Sequence, residues 1–240
     1  MHLDCVPQMS REPVEENIPA SIFVSRLIEV NFLTAFGFDR FLFFPGMLFN
    51  ANEKWWGKGG LRAASHEGLD MCFFAGTIGE KFRLDETIQV PMVYDGIIVH
   101  IMDDFLGKTV VTRHDFGSTF SGPVLSLYGH TQPDPHLQIG DRIKQGEVFA
   151  LISDAGKRSK LLPPHLHITL AKAWMLPPAG QLTWEMLNGV DRSVFMDPLV
   201  ILDVDYSVMD NDGAVNFSEL YSNYGKISEK GGWRGKPKTG

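Results

Sequence analysis

The stretch His165-Leu-His-Ile-Thr-Leu170 alternates in character residue by residue. Side chains of a β-strand point to opposite faces with period two. Both histidines therefore share one face, while Leu166, Ile168 and Leu170 share the other and point to a core. A buried hydrophobic row that holds two imidazoles on an open face is how a rigid site is built on a strand. Outward from this stretch, residues from 61 onward keep a β-like character, with short apolar runs between Gly, Pro and Asp turns. Val90-Pro-Met-Val-Tyr-Asp-Gly96 leads into Ile97-Ile-Val-His-Ile101, followed by Thr109-Val-Val-Thr-Arg113 and Val124-Leu-Ser-Leu-Tyr128. Ile139 to Gly146 reads as a hairpin, Val148 to Ile152 as its next strand, and Asp197-Pro-Leu-Val-Ile-Leu202 as a closing strand. No long helical pattern lies between these runs. The chain is therefore predicted to be mainly β, with antiparallel sheet and only short helices.

Two helices are expected. Asn17-Ile-Pro19 can cap and open one that carries Ile22, Phe23, Leu27, Ile28 and Val30, although these residues also fit a strand. Trp184 to Asn188 reads as a short helical insertion. Residues 36–56 are rich in aromatics, from Phe36 to Trp56, and read as packing against the main domain; the alternative is that part of them lines a groove. Residues 1–17 read as a loose polar arm and Lys226 to Gly240 as a flexible tail.

Composition narrows the function. The 240 residues suffice for one sizeable domain with extensions, and 44% hydrophobic against 21% charged residues is ordinary globular composition. Two cysteines, Cys5 and Cys72, make no disulfide framework. A net charge of −7 argues against general nucleic-acid binding and against attraction to anionic surfaces. The most apolar stretch, Ile22 to Phe49, carries Arg26, Glu29, Asp39 and Arg40, so it does not read as a transmembrane helix. The opening Met-His-Leu-Asp-Cys-Val-Pro does not read as a signal peptide.

The candidate chemistry lies in three places: His66-Glu-Gly-Leu-Asp70, Leu127-Tyr-Gly-His130 and Pro164-His165-Leu-His167. His66 and Asp70, four apart, share a face in a strand or a helix, and Glu67-Gly68 favours a turn or extended segment. A catalytic zinc needs about three protein ligands and an open position for water. Five such residues can hold one ion and leave two imidazoles free for proton transfer.

In this order and spacing the motifs resemble the lysostaphin/LytM-type zinc endopeptidases. That family's pattern is His-x-Gly-x-Asp, a strand ending Tyr-x-His, then Gly-Asp-x-Val-x-x-Gly, and finally His-Leu-His. Here the third element is Gly140-Asp-Arg-Ile-Lys-Gln-Gly146, and Pro91-Met-Val-Tyr-Asp-Gly96 resembles the family's strand Pro-Val-x-Ala-x-x-Asp-Gly, two residues shorter. The resemblance spans roughly residues 45–203. It implies an N-terminal extension over 1–44, a two-sheet antiparallel domain of the duplicated hybrid motif type with a long groove over 45–203, and a C-terminal segment over 204–240. It makes His66, Asp70 and His167 the ligands of Zn2+, and His130 and His165 a catalytic pair whose individual roles stay open. It implies a zinc-dependent endopeptidase acting on peptide cross-links or bridges of peptidoglycan, at the cell envelope or in the periplasm.

There are departures. The family often has Arg two residues before the first His, where this chain has Ala64; either Arg62 substitutes from another angle or the interaction is absent. Its Gly-rich stretch before His-Leu-His is replaced by Lys157-Arg-Ser-Lys-Leu-Leu-Pro-Pro164. A non-enzymatic wall-binding or regulatory module of the same fold is the alternative. A swinging-arm carrier, suggested by the Gly140–Gly146 hairpin, lacks the lysine it would need. His114 is expected to be structural, His136 exposed, His100 a satisfied sheet residue and Cys72 a buried inert thiol. Asp210, Asp212, Asn216 and Glu219 fall on positions of a calcium loop, although the first position would be Val208; an Asp-Gly turn is the competing account.

Overall fold

The computed structural model describes residues 18–117, 120–154 and 162–210, and the backbone of 222–223. In chain order its main elements are helix α1 (Phe23–Val30) and strands β1 (Phe38–Phe43), β2 (Leu69–Met71), β3 (Phe73–Gly76), β4 (Lys81–Arg83) and β5 (Gln89–Pro91). Strands β6 (Gly96–Asp103), β7 (Lys108–His114), β8 (Val124–Pro133), β9 (Arg142–Ile143), β10 (Val148–Ile152) and β11 (Leu166–Lys172) follow. Helix α2 (Trp184–Gly189) and strands β12 (Phe195–Met196), β13 (Tyr206–Val208) and β14 (Ser222–Asn223) complete the order.

The strands form two sheets, as the family resemblance implied. The larger has nine strands, running β12-β11-β8-β7-β6-β9, with β2 added beside β11 and with β10 joining β5 to β8. The smaller runs β13-β1-β3-β4-β14. Pairing is antiparallel except at the two edges of the small sheet, where β13 and β14 join in parallel.

The main core lies between the sheets. Phe41 and Phe43 of β1 and Phe73 and Phe74 of β3 meet Leu166, Ile168 and Leu170 of β11 in one cluster. The leucine and isoleucine face of β11 thus points to the core, as its alternation requires. The opposite face of the large sheet was expected to be open, but it is buried as well. Val111, Leu125, Leu127 and Ala171 pack there under Leu182, Leu187, Val194 and Phe195, a second cluster that includes α2. His165, His167 and Thr169 share that covered face and are 2%, 5% and 0% exposed. The cover ends near Trp184, whose ring lies 5.4 Å from that of His167. What remains open is a cleft rather than a sheet face.

Local expectations met different fates. Helix α1 forms, but it begins at Phe23, where Ser21 Oγ accepts the Phe23 N–H at 3.1 Å. Asn17, expected to cap it, lies outside the described residues. Pro198–Ile201, expected as a closing strand, is a 3₁₀ turn, because the Asp197 carboxylate accepts the Leu199 N–H and Pro198 opens the turn. The sheet edge is closed by β12, which pairs with Leu170 and Ala171. Ile139–Gly146 is not a hairpin: two of its residues pair with β6, between glycines at φ +101° and +77°. His100 is not satisfied, since its buried Nδ1 lacks a hydrogen-bond partner among the described residues. Of the calcium-loop candidates, Asp210 is exposed, and Asp212, Asn216 and Glu219 lie outside the described residues. No described helix is long and apolar enough to cross a membrane.

One buried hydrogen bond ties the sheet to the segment before it. The Tyr128 hydroxyl on β8 accepts the Val93 N–H at 2.9 Å, and both residues are fully buried. Tyr128→Phe leaves that donor unpaired, which costs about 1–3 kcal/mol. A urea unfolding midpoint lowered at unchanged slope is the expected result.

Candidate metal and catalytic site

Register brings the three sequence motifs together. On β11, His167 pairs with Asp70 of β2 on one side and with Gly129 of β8 on the other. His66 enters from the extended segment before β2, whose Glu67-Gly68 turn was expected not to be helical. Two glycines make the approach possible. A side-chain carbon at Gly68 would clash first with the Ile168 carbonyl oxygen and then lie 2.8 Å from the His167 ring, and one at Gly129 would lie 3.2 Å from His167 Cβ. The glycine inside His66-Glu-Gly-Leu-Asp70 is thus required by the close approach of the β11 backbone at Ile168 and of the His167 ring.

The donor atoms form a tight triangle. His66 Nε2 lies 3.3 Å from His167 Nδ1 and 3.4 Å from Asp70 Oδ1, and His167 Nδ1 lies 2.8 Å from Asp70 Oδ1. Zinc ligands at about 2.0–2.2 Å in a tetrahedron stand roughly 3.3 Å apart, so this donor set fits that ion. The outer nitrogens are fixed as well. His66 Nδ1 lies 3.0 Å from the Leu48 carbonyl, which turns its Nε2 lone pair inward. His167 Nε2 lies 2.9 Å from Thr169 Oγ1 and 3.4 Å from Glu67 Oε1.

The electrostatics favour positive charge among these atoms. Burial alone would raise the Asp70 carboxyl, but His66, His165 and His167 together hold it well below the usual carboxylate range. Burial likewise opposes the charged form of His167, yet its hydrogen bonds to Asp70 and Glu67 push it up to about 10. Glu67 is held at about 2, burial being outweighed by His167 and His66.

His130 and His165 stand beside the triangle. Their rings are 4.7 Å apart, and His165 Nε2 lies 3.7 Å from Asp70 Oδ1. Burial pushes His165 down to about 3, against the pull of Asp70. It is therefore a neutral imidazole, with Nδ1 2.8 Å from the Pro163 carbonyl. His130 has φ +60°, which turns its ring off the β8 alternation. Asp104 holds it there: the His130 N–H donates to Oδ2 at 2.8 Å, and His130 Nδ1 lies 3.1 Å from Oδ1. The cleft above measures about 620 Å³, with Trp56, Phe105, Leu162 and Trp184 on its walls and His130, His165 and His167 among its lining.

Three groups at the site were not singled out by sequence reasoning. Asp104 reads as an ordinary Asp-x-x-Gly turn residue, and its partner His130 is 26 positions away. Glu67 occupies a variable position of its motif. Trp55 reads as core, yet its Nε1–H donates to Asp70 Oδ2 at 2.6 Å. Trp56, by contrast, lines the cleft, so the groove-lining alternative for the aromatic segment holds for part of it. Arg62 reaches the site from two positions before Ala64: its Nη2 lies 2.8 Å from Gly46 O and 3.5 Å from Asp70 Oδ2. His114 is structural, bonded to Asp95 O and Ser126 Oγ, and burial lowers it to about 4. His136 is exposed, and Cys72 is a free buried thiol pushed up by burial.

Residues 66–177 match the model of Peptidase family M23. Among solved structures, the chain is similar to the catalytic domain of a mutant of the prophage-encoded M23 protein EnpA from Enterococcus faecalis. The identity there is 22% over 51% of this chain and 77% of the other, with a TM-score of 0.32. It is also similar to lysostaphin, at 17% identity over 72% of this chain and 60% of that one, with a TM-score of 0.38. A third is Csd3 from Helicobacter pylori, at 16% identity over 78% of this chain and 42% of the other, with a TM-score of 0.35. The chain thus covers less than two thirds of the last two. No curated protein matches it.

Gly68→Ala forces the 66–70 segment away from the Ile168 carbonyl and the His167 ring. A stability loss of about 1–3 kcal/mol is expected, read from the thermal or urea midpoint.

Proposed function

We propose that the protein, whose residues 66–177 match the model of Peptidase family M23, is a zinc-dependent endopeptidase that hydrolyses peptide cross-links or bridges of peptidoglycan. The observation that carries this reading is the His66–Asp70–His167 triangle at the edge of a cleft, with two further imidazoles beside it. In it, His66 Nε2, Asp70 Oδ1 and His167 Nδ1 hold the ion. Zinc there supplies a Lewis acid that polarises a carbonyl and lowers the pKa of water to about 7.

The chain's own residues do the rest. His165, neutral and fixed through Nδ1, presents Nε2 as an acceptor for the proton of an attacking water. His130, oriented by Asp104, can donate a hydrogen bond to an oxyanion or return a proton to the leaving amine. The Trp184 and α2 side covers the site from solvent, and the cleft admits an extended peptide. Net charge −7 argues against strong nonspecific attraction to anionic polymers.

His167→Ala is expected to lose both zinc and activity. His165→Ala is expected to keep zinc, measured by metal analysis, and to lose activity by roughly 10²–10⁴-fold. A His165→Ala variant that cuts at the wild-type rate overturns the assigned role. Mass spectrometry of sacculi digested with the protein should give new peptide ends that vanish with a zinc chelator. Full zinc occupancy with no new ends, across several cross-link types, would leave the binding or regulatory module instead.

A further inference from the structure

Asp70 uses its two oxygens differently. Oδ1 faces His66 Nε2, His167 Nδ1 and His165 Nε2 at 3.4, 2.8 and 3.7 Å. Oδ2 points the other way, to Trp55 Nε1 at 2.6 Å, with Arg62 Nη2 further off at 3.5 Å. Trp55 is 3% exposed, and its ring is wedged edge-on against His165, Trp56 and Phe73 at 5.3, 5.9 and 6.0 Å. The indole has no freedom to leave Asp70 without disturbing that packing.

A carboxylate can grip a cation through one oxygen or two. An indole N–H is a donor only, so its bond to Oδ2 has one direction and takes up one lone pair of that oxygen, with the Arg62 guanidinium beside it. Two-oxygen binding would pull Oδ2 toward the ion and away from an indole that its packing holds in place, at the expense of a buried hydrogen bond. Partners of this kind orient metal ligands and tune their affinity. We propose that Trp55 is a positioning residue for the metal site: its N–H holds Asp70 Oδ2 and leaves Oδ1 as the single carboxylate donor. One-oxygen binding is what keeps coordination positions open for water and a substrate carbonyl. The indole is uncharged, so it orients the carboxylate without cancelling the charge that attracts the cation. This inference rests on the zinc reading above.

The test removes the N–H and keeps the ring. Full-length wild-type protein and Trp55→Phe are compared for zinc affinity by chelator competition. Both are then loaded with Co2+, whose visible absorption is strong in four-coordinate sites and weak at higher coordination. The expected result for Trp55→Phe is a loss of zinc affinity of roughly 10-fold or more, a weaker cobalt spectrum and a fold intact by circular dichroism. Affinity within two-fold of wild type with an unchanged cobalt spectrum overturns the proposal. If Trp55→Phe fails to fold, β-(3-benzothienyl)alanine at position 55, with sulfur in place of N–H, carries the same comparison and the same two outcomes. Wild-type protein that binds no zinc overturns the zinc reading itself, and this inference with it. Tight wild-type binding with no change in the variant overturns the inference alone.

Discussion

A carboxylate sealed from water, Asp70, is the group on which the arrangement of the site depends. A buried charge is tolerated only when it is paired and hydrogen-bonded. Asp70 meets that condition with groups from several parts of the chain: His66 next to it in sequence, His167 from β11, and Trp55 and Arg62 from the segment before β2. Each partner fixes one strand or segment against another. The 45–66 segment must lie over β2, and β2 must pair with β11 in one register. A slip by one residue would turn His167 into the core and leave the carboxylate without its imidazole.

The sheets supply the rigidity that such a site needs. β11 has core on both faces, so His167 and Thr169 have no room to reorient. Glycines at 68 and 129 let the neighbouring backbone close on the His167 ring from two sides. The polar groups behind the site are chained in the same way: Leu48 O behind His66, Pro163 O behind His165, Asp104 behind His130. Every ring nitrogen that faces away from the triangle has an acceptor near it, and this selects the tautomer that each imidazole presents inward.

Much of this was legible in the sequence because it is local or ordered along the chain. The period-two pattern of 165–170 identified a strand, and the order of the His66, His130 and His165 motifs pointed to a common site. What was not legible depends on contacts across long separations. Asp104 and His130 are adjacent only through the β7 and β8 pairing, and nothing in Asp103-Asp104-Phe105 distinguishes it from a turn. Trp55 and Trp56 are neighbours of one type, yet one faces a carboxylate and the other a cleft. The second face of β11 was misjudged because its cover comes from 182–195, a segment with no strong pattern of its own. Asp197-Pro198 misled for the opposite reason: an apolar run with strand composition yields to a capping side chain and a proline.

The turn between β6 and β7 carries a consequence for how this protein can change. Asp104 accepts from the Leu106 and Gly107 N–H groups at 2.8 and 2.6 Å and from Thr109 Oγ1 at 2.8 Å, besides holding His130. A carbon on Gly107 would meet Thr131 O and Ser153 at 2.7 Å. Phe105, between them, is 69% exposed on the cleft wall. One short loop thus separates into a frozen part and a free part. Variation at 105 reshapes the cleft wall while 104 and 107 keep the His130 imidazole in place. The shape of the cleft in this region can drift without that imidazole moving, whereas any insertion that lengthens the turn displaces both at once.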